Sequence, residues 1–155
     1  MSDRIDVVDV QSGLDAAETE QMITKNLPPV DHHGEVVERV GEDSIRVRLP
    51  YDPTFVGAEP WQDGSGRVFS GPIVMGLADT AMYCCVMAAL GRQVIPVMAN
   101  LNITFLQPAR SRDLIAEARI VRRGRRLYYL ECWLTSDGEA EPCAHSTSTY
   151  RVANR

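Results

Sequence analysis

The chain has 155 residues, of which 45% are hydrophobic and 24% charged, which points to one globular domain with a good core rather than two. Its formal net charge of −5 argues against nucleic acid or an anionic membrane surface as the main partner. All but one of its 16 basic residues are arginine, and Arg119, Arg122, Arg123, Arg125 and Arg126 fall within eight positions, a basic patch on an acidic chain.

Residues 1–12 are acidic and polar and read as a loose arm. Leu14, Ala17, Gln21 and Met22 then form one stripe of a modest amphipathic helix ending near Lys25. Pro28, Pro29 and His32-His33-Gly34 cannot continue it and mark a turn. Residues 35–40 and 44–49 alternate polar and apolar around Gly41-Glu42-Asp43, which predicts a hairpin. The stretch from Pro50 to Phe69 is rich in Pro, Gly and Asp. It predicts a long connection, and connections of this length are usually functional.

Ser70 to Gly91 is the most informative segment. It is almost wholly apolar, opens with Pro72 at a first helical position and stops at Gly91. Two turns in it carries one carboxylate, Asp79. Burying a lone carboxylate costs several kcal/mol unless it is paired, hydrogen-bonded or open to a cleft, so Asp79 is either satisfied or working. Residues 73–90 approach the length of a membrane span, but a central Asp costs about 2.5–3.5 kcal/mol there. With Gly76 and Thr80 on the same helix, the pattern favours a helix wrapped by a sheet.

Four strand candidates follow, at 97–106, 114–122, 126–136 and 142–152, each bounded by a breaker, and an antiparallel meander is the economical order. Two strands, a buried helix and four strands make an α+β pattern. A helix this apolar calls for a strongly curved sheet around it and a second subunit over what remains. The expected division is an arm and short helix at 1–26 and the main domain at 27–155.

Cys84, Cys85, Cys132 and Cys143 form no C-x-x-C pair and read as buried free thiols. With no apolar leader at the start, a cytoplasmic location is the expectation. His32 and His33 are adjacent in a loop and His145 is remote, so no metal site and no cofactor are expected. Neither G-x-G-x-x-G nor a Walker signature is present.

Three ordered blocks resemble the hotdog-fold acyl-CoA thioesterases, and within them the PaaI-like branch. Ser70-Gly71-Pro72 followed by Leu77-Ala78-Asp79 is similar to the family's helix opening and its acid. Asn102 to Ala109 is similar to its next strand, and Glu117 to Tyr129 to its strand pair around an arginine turn. The resemblance covers roughly residues 27–152 and implies thioester hydrolysis at a site shared between two subunits of a homodimer or homotetramer. It makes Asp79 the general base or nucleophile, with the Gly71 backbone N–H holding the oxyanion at the helix start.

The same resemblance sets expectations for substrate contacts. Pro72 takes the place of a second glycine. Ser70 stands where the family has histidine, Gly64 where it has a water-orienting Asn, and Met98 where a small hydroxyl residue is usual. Gln62 or Asp63 is then the substitute polar group. Arg122, Arg123, Arg125 and Arg126 suit the phosphates of coenzyme A, and Tyr83, Met82 and Val86 an acyl channel, although core packing is the first reading of these three. A hydratase would need a His five positions after Asp79, where Cys84 stands. The alternative left open is a non-catalytic acyl-CoA-binding or regulatory protein.

Overall fold

A computed structural model describes residues 13–64 and 66–155; the expected arm at 1–12 lies outside them. The first helix, α1, spans Ala16–Asn26. Asp15 caps it, its side chain accepting from the Glu18 N–H at 2.8 Å while Glu18 accepts from the Asp15 N–H at 3.0 Å. Met22 and Ile23 point into the core.

The hairpin expected after the turn is strands β1, Val36–Val40, and β2, Ser44–Leu49. On β2, Ile45, Val47 and Leu49 are buried, while Arg46 and Arg48 lie on the outer face. Glu38, Asp113, Glu117 and Asp137 surround those two arginines in a surface ion-pair network. The connection at 50–69 carries one 3-10 turn, at Pro53–Phe55, and packs Phe55 and Phe69 against the core.

Helix α2 runs over Gly71–Leu90. Gly91 ends it at φ +82°, where a side chain would be strained. The chain entering α1 lies directly on the end of α2. The Leu14 N–H donates to the Ala88 carbonyl at 2.9 Å, and a Cβ on Gly13 would stand 2.6 Å from that same oxygen, so only glycine allows the approach.

Strands β3, Val94–Phe105, β4, Leu114–Arg123, β5, Leu127–Ser136, and β6, Ala144–Asn154, complete one antiparallel sheet in the order β1-β2-β4-β5-β6-β3. Helix α2 packs on α1 and on β2, β3, β4, β5 and β6. A sheet folded around one long central helix is the hotdog arrangement. By length and hydropathy α2 could cross a bilayer, but most of its surface is buried inside this sheet, as a core helix requires.

The meander holds only for β4, β5 and β6. Instead of lying beside β4, β3 is at the far edge, paired with β6, and β4 pairs with β2 from Ser44↔Arg119 to Leu49↔Leu114. Burial explains the difference. The inner faces of β4, β5 and β6 are closed over α2, whereas β3 is exposed along most of its length and carries Pro96, which has no N–H for a second neighbour. Strand limits also shift: β3 begins three residues earlier than expected, Arg126 falls in the turn before β5, and β6 begins at Ala144.

The four cysteines are buried and unbridged. Burial pushes the Cys143 thiol up to about 11 and the Cys85 thiol up to about 12, and holds those of Cys84 and Cys132 still above the usual thiol range.

Candidate active site

Asp79 sits two turns into α2, on the side of the helix that meets β6 and the start of β3. It opens into a cavity of about 550 Å³ lined also by Lys25, Asn26, Tyr83, Met98 and Tyr150. The Tyr150 hydroxyl donates to Oδ1 of Asp79, a short contact, and lies 3.2 Å from the Asp79 main-chain carbonyl. Among the described residues nothing else bonds to the carboxylate. Burial raises the Asp79 pKa, the Tyr150 hydrogen bond lowers it, and the nearby Asp31 charge raises it again, leaving it above the ordinary value of 3.8. Burial and the charge of Asp79 push the Tyr150 phenol well above its own ordinary value, so it remains a proton donor.

Gly71 is the first residue of α2, and Ser70 before it makes no side-chain cap. The Ser70 N–H donates to Phe55 and the Ile73 N–H to Ser70, while Pro72 has none. The Gly71 N–H has no acceptor among the described residues and stands at the positive end of the helix. It borders a second cavity, of about 330 Å³, walled by Trp61, Phe69, Val74, Phe105 and Cys143. Among the described residues none lines both cavities. Eight residues of α-helix separate Gly71 from Asp79 by about 12 Å along the axis, so one carbonyl group cannot touch both within a single chain.

The remaining expected residues fall into three groups. Tyr83 and Met98 line the Asp79 cavity, and the Tyr83 hydroxyl accepts a hydrogen bond from Asn26 Nδ2 at 3.0 Å. Gln62 and Asp63 lie in the exposed turn beyond Trp61, and it is Trp61 that reaches the Gly71 cavity; Ser70 and Pro72 are exposed at the helix start. Arg122, Arg123, Arg125 and Arg126 are exposed at the β4–β5 turn, and Arg123 is already paired with Asp43. The register aligns Arg123, Tyr128, Tyr150 and Met98 in one row across four strands, which sets the arginine turn about 10 Å from Tyr150.

Tyr150, Asn26, Lys25 and Arg155 were not among the expected site residues. Of these, Tyr150 has a visible signal: it continues the inward row Ser146, Ser148 and Tyr150 of β6, as the one bulky polar residue on that face.

Comparison with known proteins agrees with the architecture. The family model described as the thioesterase superfamily matches residues 66–143. A Thermoplasma acidophilum protein named as an esterase is 24% identical over 116 residues, covering 75% of this chain and 81% of its own. A Silicibacter protein whose crystal structure is described as that of a thioesterase superposes with a TM-score of 0.76 at 26% identity, covering 94% of this chain and 96% of its own. A Ralstonia eutropha protein, described as a thioesterase related to phenylacetic acid degradation, gives a TM-score of 0.68 at 25% identity, covering 86% of this chain and 98% of its own.

Proposed function

Since the chain belongs to the thioesterase superfamily, we propose that it is an acyl-CoA thioesterase in which Asp79 activates water and the Gly71 N–H polarises the thioester carbonyl. The observation that carries this reading is that α2 presents an open base and an open donor, each at its own cavity, about 12 Å apart. Two copies of the chain resolve that separation. Strand β3 is an unpaired edge with Ile95, Val97, Met98 and Phe105 exposed, and it runs from the Asp79 cavity to the Gly71 cavity. Antiparallel pairing of two β3 edges about a two-fold axis lays the Phe105 end of one copy beside the Met98 end of the other. Each site then takes Asp79 from one subunit and Gly71 from its partner.

In such a site the free oxygen of Asp79 takes a proton from water as the water oxygen bonds to the thioester carbon. The oxyanion forms against the Gly71 N–H, where the helix dipole favours negative charge. Collapse breaks the C–S bond, and the sulfur leaves with the proton that Asp79 had taken, giving a carboxylic acid and the thiol of coenzyme A. The arginine turn at 122–126 is the group offered to the nucleotide phosphates.

Thiol release from a panel of short, medium, long and aryl acyl-CoAs, by the native protein and by Asp79→Asn, tests the reading. The expected outcome is turnover that falls by about 100-fold or more in the variant. Acyl-CoA that binds and stays intact would point instead to a non-catalytic binding protein, the reading favoured by the absence of histidine at 70 and of a hydroxyl at 98.

A further inference from the structure

Resting on that reading, we propose that Tyr150 is a positioning residue of the site: its hydroxyl fixes Asp79 through Oδ1 and so presents the other carboxylate oxygen to the attacking water. The hydroxyl reaches Asp79 from a different element, β6, and is held there by the fold rather than by a rotamer choice alone. Tyr150 is 2% exposed, and its ring is locked in the inward row of the sheet. Tyr150 lies directly opposite Met98 in the β3–β6 ladder. At position 98 the side chain offers only a thioether, and its cross-strand partner supplies the hydroxyl that reaches the acid.

The ladder is irregular at this point. After the Met98↔Tyr150 pair the register slips, so that Asn100 faces Thr149 and Ala99 is the extra residue. Bulges of this kind re-aim neighbouring side chains and gather beside active sites. Below the bulge the same row of β6 spends its hydroxyls on β3 itself: Ser146 donates to the Asn102 carbonyl at 2.9 Å and Ser148 to the Asn100 carbonyl at 2.7 Å. Tyr150 is the first hydroxyl of the row to turn away from the sheet and onto the helix.

The contact also has an electrostatic consequence. The ionisable and charged groups around Asp79 are Tyr83 and Cys84 on its own helix, Tyr150 on β6, Lys25 on α1, Asp31 in the 3-10 turn at Pro29–Asp31 and Arg155 at the chain end. β3 contributes Ile95, Pro96, Val97 and Met98 and no charge. Of these neighbours, Tyr150 is the one hydrogen-bonded to the carboxylate, and its bond favours the ionised form against burial. Tyr150→Phe removes that bond and leaves the ring. Asp79 then holds its proton to higher pH, and the acid limb of kcat/KM moves to higher pH with it.

Carbon-13 NMR titration of labelled aspartate carboxyls, in the native protein and in Tyr150→Phe, with Asp79 assigned through Asp79→Asn, reads this directly. We expect the Asp79 titration and the acid limb of thioester hydrolysis to rise together, with kcat about 10- to 100-fold lower and KM little changed. Tyr128→Phe, which removes another buried phenol of the same sheet row, leaves both where they were. An Asp79 titration that does not move in a folded Tyr150→Phe protein overturns the proposal. Native protein inert toward every thioester would overturn the hydrolase reading instead, and the carboxyl titration would still decide whether Tyr150 controls Asp79.

Discussion

Asp79 works as a base only if the folded chain tolerates its charge, and that tolerance can be measured as stability. Its pKa is raised above the ordinary 3.8, chiefly by burial, so the folded state holds the proton more tightly than the unfolded state. Between the ordinary value and the raised one, the unfolded chain releases its proton first. The associated stability is therefore fully present below the ordinary value and is lost as pH rises through the folded one. Asp79→Asn carries no charge to desolvate. We expect it to raise Tm by a few degrees at neutral pH and by less in acid, measured by calorimetry across pH. Stability gained on removing a residue, together with lost turnover, is the trade expected of a functional group. Asp79 stood out in the sequence because a lone carboxylate in an apolar helix must be either satisfied by a partner or open to a cleft. Tyr150 showed only as a bulky polar residue on an inward row, because its relation to Asp79 depends on how the folded sheet brings β6 against α2.

At the scale of the element, α2 and β3 are opposites. Helix α2 is buried on nearly every side, and Leu77, 1% exposed, sits between Gly71 and Asp79. Leu77→Ala leaves a cavity with little freedom to collapse, and urea unfolding should show a loss of about 2–5 kcal/mol. Composition alone revealed this helix, and breakers revealed the other elements to within a few residues. Strand order was another matter. Alternation shows that a stretch is a strand and which face is inner, but it carries no information on the neighbour. Pro96 held a clue to the edge, since proline within a strand belongs where no partner needs its N–H, yet the strand expected from 97 onward excluded it.

For the whole molecule, the proposed roles of Gly71 and Asp79, about 12 Å apart along α2, make activity a property of a pair of chains. Gly71→Pro removes the N–H at a first helical position that accepts proline, and its Cβ meets only Phe105, at an ordinary 3.5 Å. Gly71→Pro and Asp79→Asn should each be inactive alone. Unfolded together in equal amounts and refolded, half of the dimers are mixed, and each mixed dimer has one intact site of two. Recovery of about a quarter of native activity is therefore the expected result, whereas the double substitution in one chain should recover none with either parent.

The buried cysteines acquire a meaning from the same chemistry. A thioesterase generates a free thiol at every turnover, beside a chain that carries four thiols of its own. Mixed disulfides form through thiolates, and burial raises the pKa of all four cysteines; Cys84, Cys85 and Cys132 lie in the core, while Cys143 borders the Gly71 cavity. On the proposed reading, a thiol-detecting reagent added to the folded protein is expected to count product sulfur ahead of the core thiols of Cys84, Cys85 and Cys132, with Cys143 the one protein thiol beside the reaction.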